Sequence, residues 1–255
     1  MSDAVLLIRE GAAMRLTLNR PDTRNALSPV LVEAMMDALG EVEQARPRGL
    51  IVAGAGPVFC AGLDLTDLDR KSDGDMLHLL LRIELMLQRL WSLPCRTLGL
   101  AQKAAIGAGA DILVACQTRV LTQGGKMAFP GLGFGVFLGT NRLGLRIGPG
   151  PAERLLAAGR PIPAATALDC GLVDAVAAEG GLTSFSADWT ESVAKLEPHV
   201  AANLGVTAVR ADGAADIEAL VRSASRPGLR DRIAAYAAAQ SGMRADAANQ
   251  KRETA

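Results

Sequence analysis

The chain is poor in most of the features that announce a function. Aromatic residues fill only 3% of its 255 positions, too few to build the stacking platforms on which single-stranded nucleic acid is held. Lysine plus arginine equals aspartate plus glutamate, at 27 each. No net field therefore draws the chain to nucleic acid or to an anionic membrane. The four cysteines, Cys60, Cys95, Cys116 and Cys170, are scattered, with no CxxC pair and no histidine beside them. A zinc or other metal site is not expected from that spacing. No apolar run approaches the ~20 residues that cross a bilayer. The first residues, MSDAVLLIREG, lack the basic start and long apolar stretch of a signal peptide. The expectation is a cytoplasmic protein with reduced thiols, partnered by neither membrane nor nucleic acid.

What is present is apolar and ordered. Hydrophobic residues make up 49% and charged residues 21%, which supports a sizeable core and one large domain, with room for a small appendage. VLLIREGAAMRLTLNRP reads as a hairpin turning at Glu10-Gly11, with Met14, Leu16 and Leu18 alternating against Arg15 and Thr17. Ser28 followed by Pro29 predicts a helix start, and Leu31, Ala34, Met35, Ala38 and Leu39 give that helix an apolar face. GLIVAG is a short buried strand. A Leu-rich amphipathic helix over Asp75 to Trp91 follows, then a strand in RTLGLAQ. Short strands alternating with helices predict crossovers and a mostly parallel sheet. From Gly150 the pattern is mainly helical, Ala-rich after residue 182 and broken near Pro198 and Pro227.

Two glycine-rich turns interrupt this order, FCAGLDL and IGAGADI, each following a strand and opening a helix or helical turn. Neither fits the phosphate-loop pattern GxxxxGK[ST] or a clean GxGxxG. Small residues in such turns serve ordinary close packing, which is the commoner case, or leave the backbone bare so that a ligand approaches its unpaired N–H groups. Two such turns aimed at one spot would make an oxyanion hole.

The segments LTLNRPDTRNALS, GAGPVFCAGLDL, AAIGAGADILVACQTRV, FLGTNRL and LLAAGRPIPAATALDCGLVDAV occur in that order between about Val5 and Val176. Together they resemble the landmarks of the crotonase superfamily, the enoyl-CoA hydratase and isomerase group. The resemblance implies an α/β fold, a spiral of ββα units over 1–195 that binds acyl-CoA, followed by a helical C-terminal region over 196–255 concerned with trimerisation or with covering the site. It implies a homotrimer or a dimer of trimers. It implies a coenzyme A thioester as substrate and no further cofactor. Carried over by motif, the thioester oxygen would lie between the N–H groups of Leu63 and Ala108, with Gly107 beside them. Coenzyme A would lie along Arg24, Ala26 and Leu27 and along Ala61, Asp64 and Leu65. Leu63 is also readable as a core leucine, and Arg24 as a solvated arginine.

The carboxylates depart from the family. Its hydratases commonly use two glutamates, one at the start of the helix after the second turn. Here that position is Asp111, one methylene shorter, and the helix N-terminus beside it favours an ionised base. The second glutamate aligns with Gly131, and no acidic residue occurs from Thr118 to Gly150. Asp67, Asp69, Asp73 and Glu84 lie in the loop and helix that wall the family's acyl pocket, and each reads as a solvated acid. A hydratase with both carboxylates is thereby excluded. An enoyl-CoA hydratase/isomerase-like enzyme with one carboxylate remains. So do another crotonase reaction (thioester hydrolysis, decarboxylation or a retro-aldol step) and a protein that binds acyl-CoA without turning it over.

Overall fold

The computed structural model describes residues 3–208 and 213–253. The predicted hairpin forms as β1 (Val5–Glu10) and β2 (Ala13–Leu18), antiparallel, with Gly11 at φ +60° in the turn. Helix α1 (Pro29–Ala45) starts as its sequence demands. The Ser28 hydroxyl accepts from the Leu31 N–H at 3.3 Å, and Pro29 sits where a missing N–H costs nothing. After β3 (Gly49–Gly54) comes α2 (Asp73–Trp91), which begins two residues earlier than the apolar pattern indicates. The reason is a capping box: the Ser72 hydroxyl accepts from the Asp75 N–H, and the Asp75 carboxylate returns to the Ser72 N–H.

The chain continues through β4 (Arg96–Ala101), β5 (Ala104–Ile106), α3 (Ala108–Ala115), β6 (Thr118–Thr122) and β7 (Lys126–Ala128). These elements explain the spiral. Each of the strands β3, β4 and β6 lies parallel beside its predecessor in a six-stranded sheet of order β1-β2-β3-β4-β6-β9. After each of them the chain steps to a second layer. There Cys60 bridges Ala105 of β5, and β5 pairs in parallel with β7. Successive turns therefore advance by one place in both layers, as repeated ββα units require. Central strands are covered on both faces, which is why GLIVAG reads as a continuous apolar run. Leu50 and Val52 face α1 and α2, whereas Ile51 faces the opposite side with Leu98, Leu100 and Val120.

After a 3-10 segment at Pro130–Phe134 come α4 (Thr140–Ile147), α5 (Pro149–Ala158), β8 (Ile162–Pro163), α6 (Ala164–Asp169) and β9 (Ala175–Ala177). The helical remainder is α7 (Leu182–Ala194), α8 (Pro198–Ala208), α9 (Gly213–Ala224) and α10 (Leu229–Glu253). Helix α7 seals the far face of the large sheet with Trp189 and Val193. Helices α9 and α10 return to the near side, where Leu220, Ala224, Leu229 and Ile233 pack with Met76 and Leu80 of α2 and with Val136. Asp73 anchors this return by accepting from the Gly228 and Arg230 N–H groups, both at 2.8 Å.

Candidate active site

The two glycine-rich turns interlock. A methyl group built on Gly62 (φ +86°) would lie 2.4 Å from the Ile106 carbonyl oxygen and 3.6 Å from the Ala108 nitrogen. One built on Gly109 would lie 2.7 Å from both the Cys60 carbonyl oxygen and its Cβ. Only glycine allows backbone to press on backbone at these separations. The Cys60 carbonyl accepts from the Ile106 N–H at 3.0 Å, which fixes the turns in register.

Two backbone donors are left over. Leu27 hydrogen-bonds on either side of Leu63, donating to the Gly62 carbonyl at 2.7 Å and accepting from the Asp64 N–H at 3.2 Å, and so passes over the Leu63 N–H. Ala108 is the first residue of α3, where no carbonyl precedes it in the helix. Among the described residues neither the Leu63 nor the Ala108 N–H donates a hydrogen bond. The Gly107 N–H, by contrast, is occupied by the Ala128 carbonyl at 2.7 Å. Gly107, at φ +54° and ψ −127°, ties the turn to β7.

Asp111 follows on the same helix face as Ala108, since residues three apart share a face and helical side chains lean toward the N-terminus. It is 4% exposed. Among the described residues no side-chain hydrogen bond reaches it, and a methyl group on Gly139 would fall 2.2 Å from its Oδ1. Burial raises its proton affinity well above that of an ordinary carboxyl; the nearby Arg142 opposes this and Glu84 adds to it. Burial thus works against the ionised form that the helix end beside it is expected to favour. Gly139 sits at φ +66° as the N-cap of α4. Gly139→Ala should both strain this left-handed residue and push the carboxyl aside. If this carboxyl carries the chemistry, turnover should fall sharply with little change in substrate affinity, as steady-state kinetics with a competing ligand would show.

The segments assigned to coenzyme A divide. Arg24 is exposed at φ +54°, and its carbonyl accepts the Ala61 N–H at 2.9 Å. Leu65 is exposed and Ala61 half-buried, whereas Ala26 and Leu27 are buried and brace the turn. Asp64 is buried too. Burial resists its ionisation, but hydrogen bonds from Thr66, with Arg20 at 3.6 Å and Lys71, hold its carboxyl below the usual range. Gly131 lies in the 3-10 segment, and its carbonyl accepts the Val136 N–H at 2.9 Å. Asp67, Asp69 and Asp73 are exposed as expected. Glu84 is not. It is fully buried and receives two hydrogen bonds from Arg142, at 2.6 and 2.8 Å. The solvated reading of Glu84 fails because the residue lies between Leu80 and Leu87 on the buried stripe of α2.

Sequence reasoning also passed over Asn25. It is fully buried at φ +53°, with Nδ2 within 3.0 Å of the Ala55, Val58 and Phe59 carbonyls, and Oδ1 accepting from the Arg20 N–H at 2.8 Å. A buried asparagine in a loop is the pin that shapes the approach to the first turn. Cys60 offers no nucleophile. Burial pushes its thiol up to about 12, and the thiol donates to the Asn25 carbonyl at 3.0 Å.

Two clefts, about 520 and 250 Å³, flank β1 and β2 and contain none of these residues. The larger is lined by Glu10 and Arg15, already paired with each other at 2.6 Å. Cleft size and chemistry thus point to different places. Paired free N–H groups beside a buried carboxyl carry more chemical meaning than an open groove. Among the described residues no group of three or more histidines, cysteines or acids could hold a metal, and no helix is long and apolar enough to cross a membrane.

Known proteins bear on this geometry. The family model described as enoyl-CoA hydratase/isomerase matches residues 9–245. The chain belongs to that family, within the crotonase superfamily. An enoyl-CoA isomerase/hydratase, fer4, from Mycosarcoma maydis is 32% identical over 175 residues. That match covers 64% of this chain and 64% of fer4, so the chain spans just under two thirds of that relative's length. The crystal structure of a "putative enoyl-CoA hydratase/isomerase" from Bordetella parapertussis matches with a TM-score of 0.89 and 38% identity, over 93% of this chain and 99% of that one. An enoyl-CoA hydratase/isomerase from Xanthobacter autotrophicus Py2 has a TM-score of 0.84 over 97% of each chain at 24% identity, a likeness of fold alone.

Proposed function

We propose that the protein transforms acyl-CoA thioesters by moving a proton with a single carboxyl group. The Leu63 and Ala108 N–H groups hold the thioester oxygen, and Asp111 takes and returns the proton at carbon. The observation that carries this reading is the meeting of two unpartnered backbone N–H groups with a buried carboxyl one helical turn behind them. As the proton leaves carbon, negative charge develops on the thioester oxygen, where fixed donors stabilise it without reorganising. A carboxyl of raised proton affinity is suited both to accept that proton and to give it back. Hydration needs a second group to activate water, and the position aligned with that group is Gly131. The reaction best matched to one carboxyl is therefore a shift of the double bond.

The test is incubation with a panel of enoyl-CoA thioesters in deuterated water, followed by mass spectrometry. Deuterium entering the acyl chain without addition of water supports the reading. Efficient addition of water would overturn it, and binding without exchange would favour a carrier of acyl-CoA. A narrower test uses Ala108→Pro. Proline is tolerated at the first position of a helix but has no N–H to donate. We expect a folded variant with turnover lowered ~10²-fold, the cost of one such donor. Undiminished turnover would place the thioester oxygen elsewhere.

Assembly as a trimer or dimer of trimers belongs to the same reading. Leu6 and Ile8 on β1, and Val200 and Leu204 on α8, are exposed apolar side chains. Light scattering at micromolar concentration should give at least the trimer mass, and a monomer alone would contradict it.

A further inference from the structure

Near Asp111, α2, α4 and α9 bring three charged residues into one buried volume. Arg142 is fully buried, reaches both Glu84 oxygens at 2.6 and 2.8 Å, and touches the Asp216 Oδ2 at 3.1 Å. Gln88 donates to Glu84 at 3.0 Å and to the Gly213 carbonyl at 2.8 Å. The Arg142 Nε–H has no partner among the described residues. Arg142 lies one helical turn after Gly139, whose Cα faces the Asp111 carboxyl. A buried ion cluster of this kind is seldom better for stability than packed apolar side chains, so its presence beside a reactive group calls for another account.

Counting charge supplies one. Among the described residues the volume holds three carboxyl groups, on Glu84, Asp216 and Asp111, and one guanidinium. Glu84 and Asp216 both hydrogen-bond to that guanidinium, and Asp111 does not. No other acid is available from α4 or the segment before it, since residues 118–150 contain none. Arg146, one turn further along α4, is directed to the other end of α3, where it donates to the Val114 and Cys116 carbonyls and lies 4.4 Å from the Trp91 ring centroid. Among the described residues a third ionised carboxylate would therefore be a buried charge without a counter-ion of its own, which raises the affinity of that group for its proton. We propose that Glu84, Arg142 and Asp216 are positioning residues for Asp111: their cluster commits its one positive charge to two carboxylates and so leaves Asp111 without a counter-ion of its own, a carboxylate poised to take the proton from carbon and to hold it until it is returned. The catalytic value of this arrangement rests on the proton-transfer reading above, but the raised proton affinity itself does not.

The experiment reads Asp111 directly. Enzyme labelled with ¹³C at the aspartate carboxyl carbons is titrated by NMR, with the Asp111 signal assigned by its loss in Asp111→Asn. The wild type should show an Asp111 midpoint above the range of an ordinary carboxyl. Glu84→Gln keeps shape and a hydrogen-bond acceptor while removing one negative charge. It should lower the Asp111 midpoint by about one pH unit or more, the size expected when a nearby like charge is removed. Asp216→Asn should move it the same way, and Glu84→Asp, which restores the charge, should return it toward the wild-type value. The matching limb of the kcat profile should follow, with KM little changed. An Asp111 midpoint within the ordinary carboxyl range in the wild type overturns the proposal, as does a midpoint that stays fixed in a folded Glu84→Gln or Asp216→Asn variant. Shifted midpoints without turnover of any thioester would uphold the cluster and refute the functional reading instead.

Discussion

Asp111→Asn should lower turnover of the active thioester by ~10²–10⁴-fold, the usual worth of general acid–base catalysis, while thioester affinity changes only a few-fold. The amide matches the carboxyl in shape and fits against Gly139, so the N–H groups of Leu63 and Ala108 stay where they are. What disappears is the carboxyl to which the proposed mechanism gives the proton. The same variant should also gain stability as pH rises. A carboxyl whose proton affinity is raised by folding favours the folded state at low pH. That advantage is lost as pH climbs from the unfolded carboxyl's titration near pH 4 through the folded group's own. Burial sets the direction for Asp111. Denaturant unfolding curves at several pH values should therefore show the gap between Asn variant and wild type widening toward neutral pH. Loss of activity with gain of stability is the signature of a residue kept for its chemistry. A variant equal to wild type in turnover would remove Asp111 from the mechanism.

Much of this site was legible in the sequence because it is local. The donors come from FCAGLDL and IGAGADI, where glycine spacing and a helix start announce bare N–H groups. Asp111 follows within the same short helix. The spiral was legible for the same reason, since each unit is a strand, a turn and a helix in immediate succession. What escaped detection depends on distance. Glu84 had a visible clue, an acid placed between Leu80 and Leu87 on an apolar helical stripe, but the clue gave no partner. Arg142 is 58 residues away from Glu84 and 74 from Asp216, and nothing in FLGTNRL predicts which acids will surround its guanidinium. The same holds for the proton affinity of Asp111. The helix end next to it is a local feature and was weighed. The burial that raises that affinity comes with tertiary folding, which sets Gly139 against the carboxyl. Asn25 lay inside a quoted motif, yet its task of satisfying three carbonyls in the loop after β3 becomes visible only when that loop is closed.

Removing Arg142 should have the largest effect on stability. In Arg142→Met the side chain keeps much of its length and apolar stem, but Glu84 and Asp216 lose the buried guanidinium that both of them bind. Breaking such a pair from one side costs ~3–5 kcal/mol, a large share of the stability of a domain. The loss comes from uncompensated negative charge, so neutralising that charge should relieve it. The deficit relative to wild type should be greatest at neutral pH and shrink as the solution is acidified, opposite to the effect of removing a solvent-exposed pair that contributes little at any pH. Combining Arg142→Met with Glu84→Leu and Asp216→Leu removes all three charges together, and apolar replacement of a complete buried cluster is commonly neutral or stabilising. The triple variant should thus recover most of the lost stability. It should not recover the wild-type titration of Asp111, because the two carboxylates and the guanidinium that shape its surroundings are gone. Equilibrium unfolding of the two variants across pH, together with the Asp111 carboxyl signal in the triple variant, separates what the cluster does for the fold from what it does for the proton. A loss below ~1 kcal/mol in Arg142→Met, the range of an exposed pair, would contradict a charge cluster that is sealed from water and beyond the reach of solvent screening.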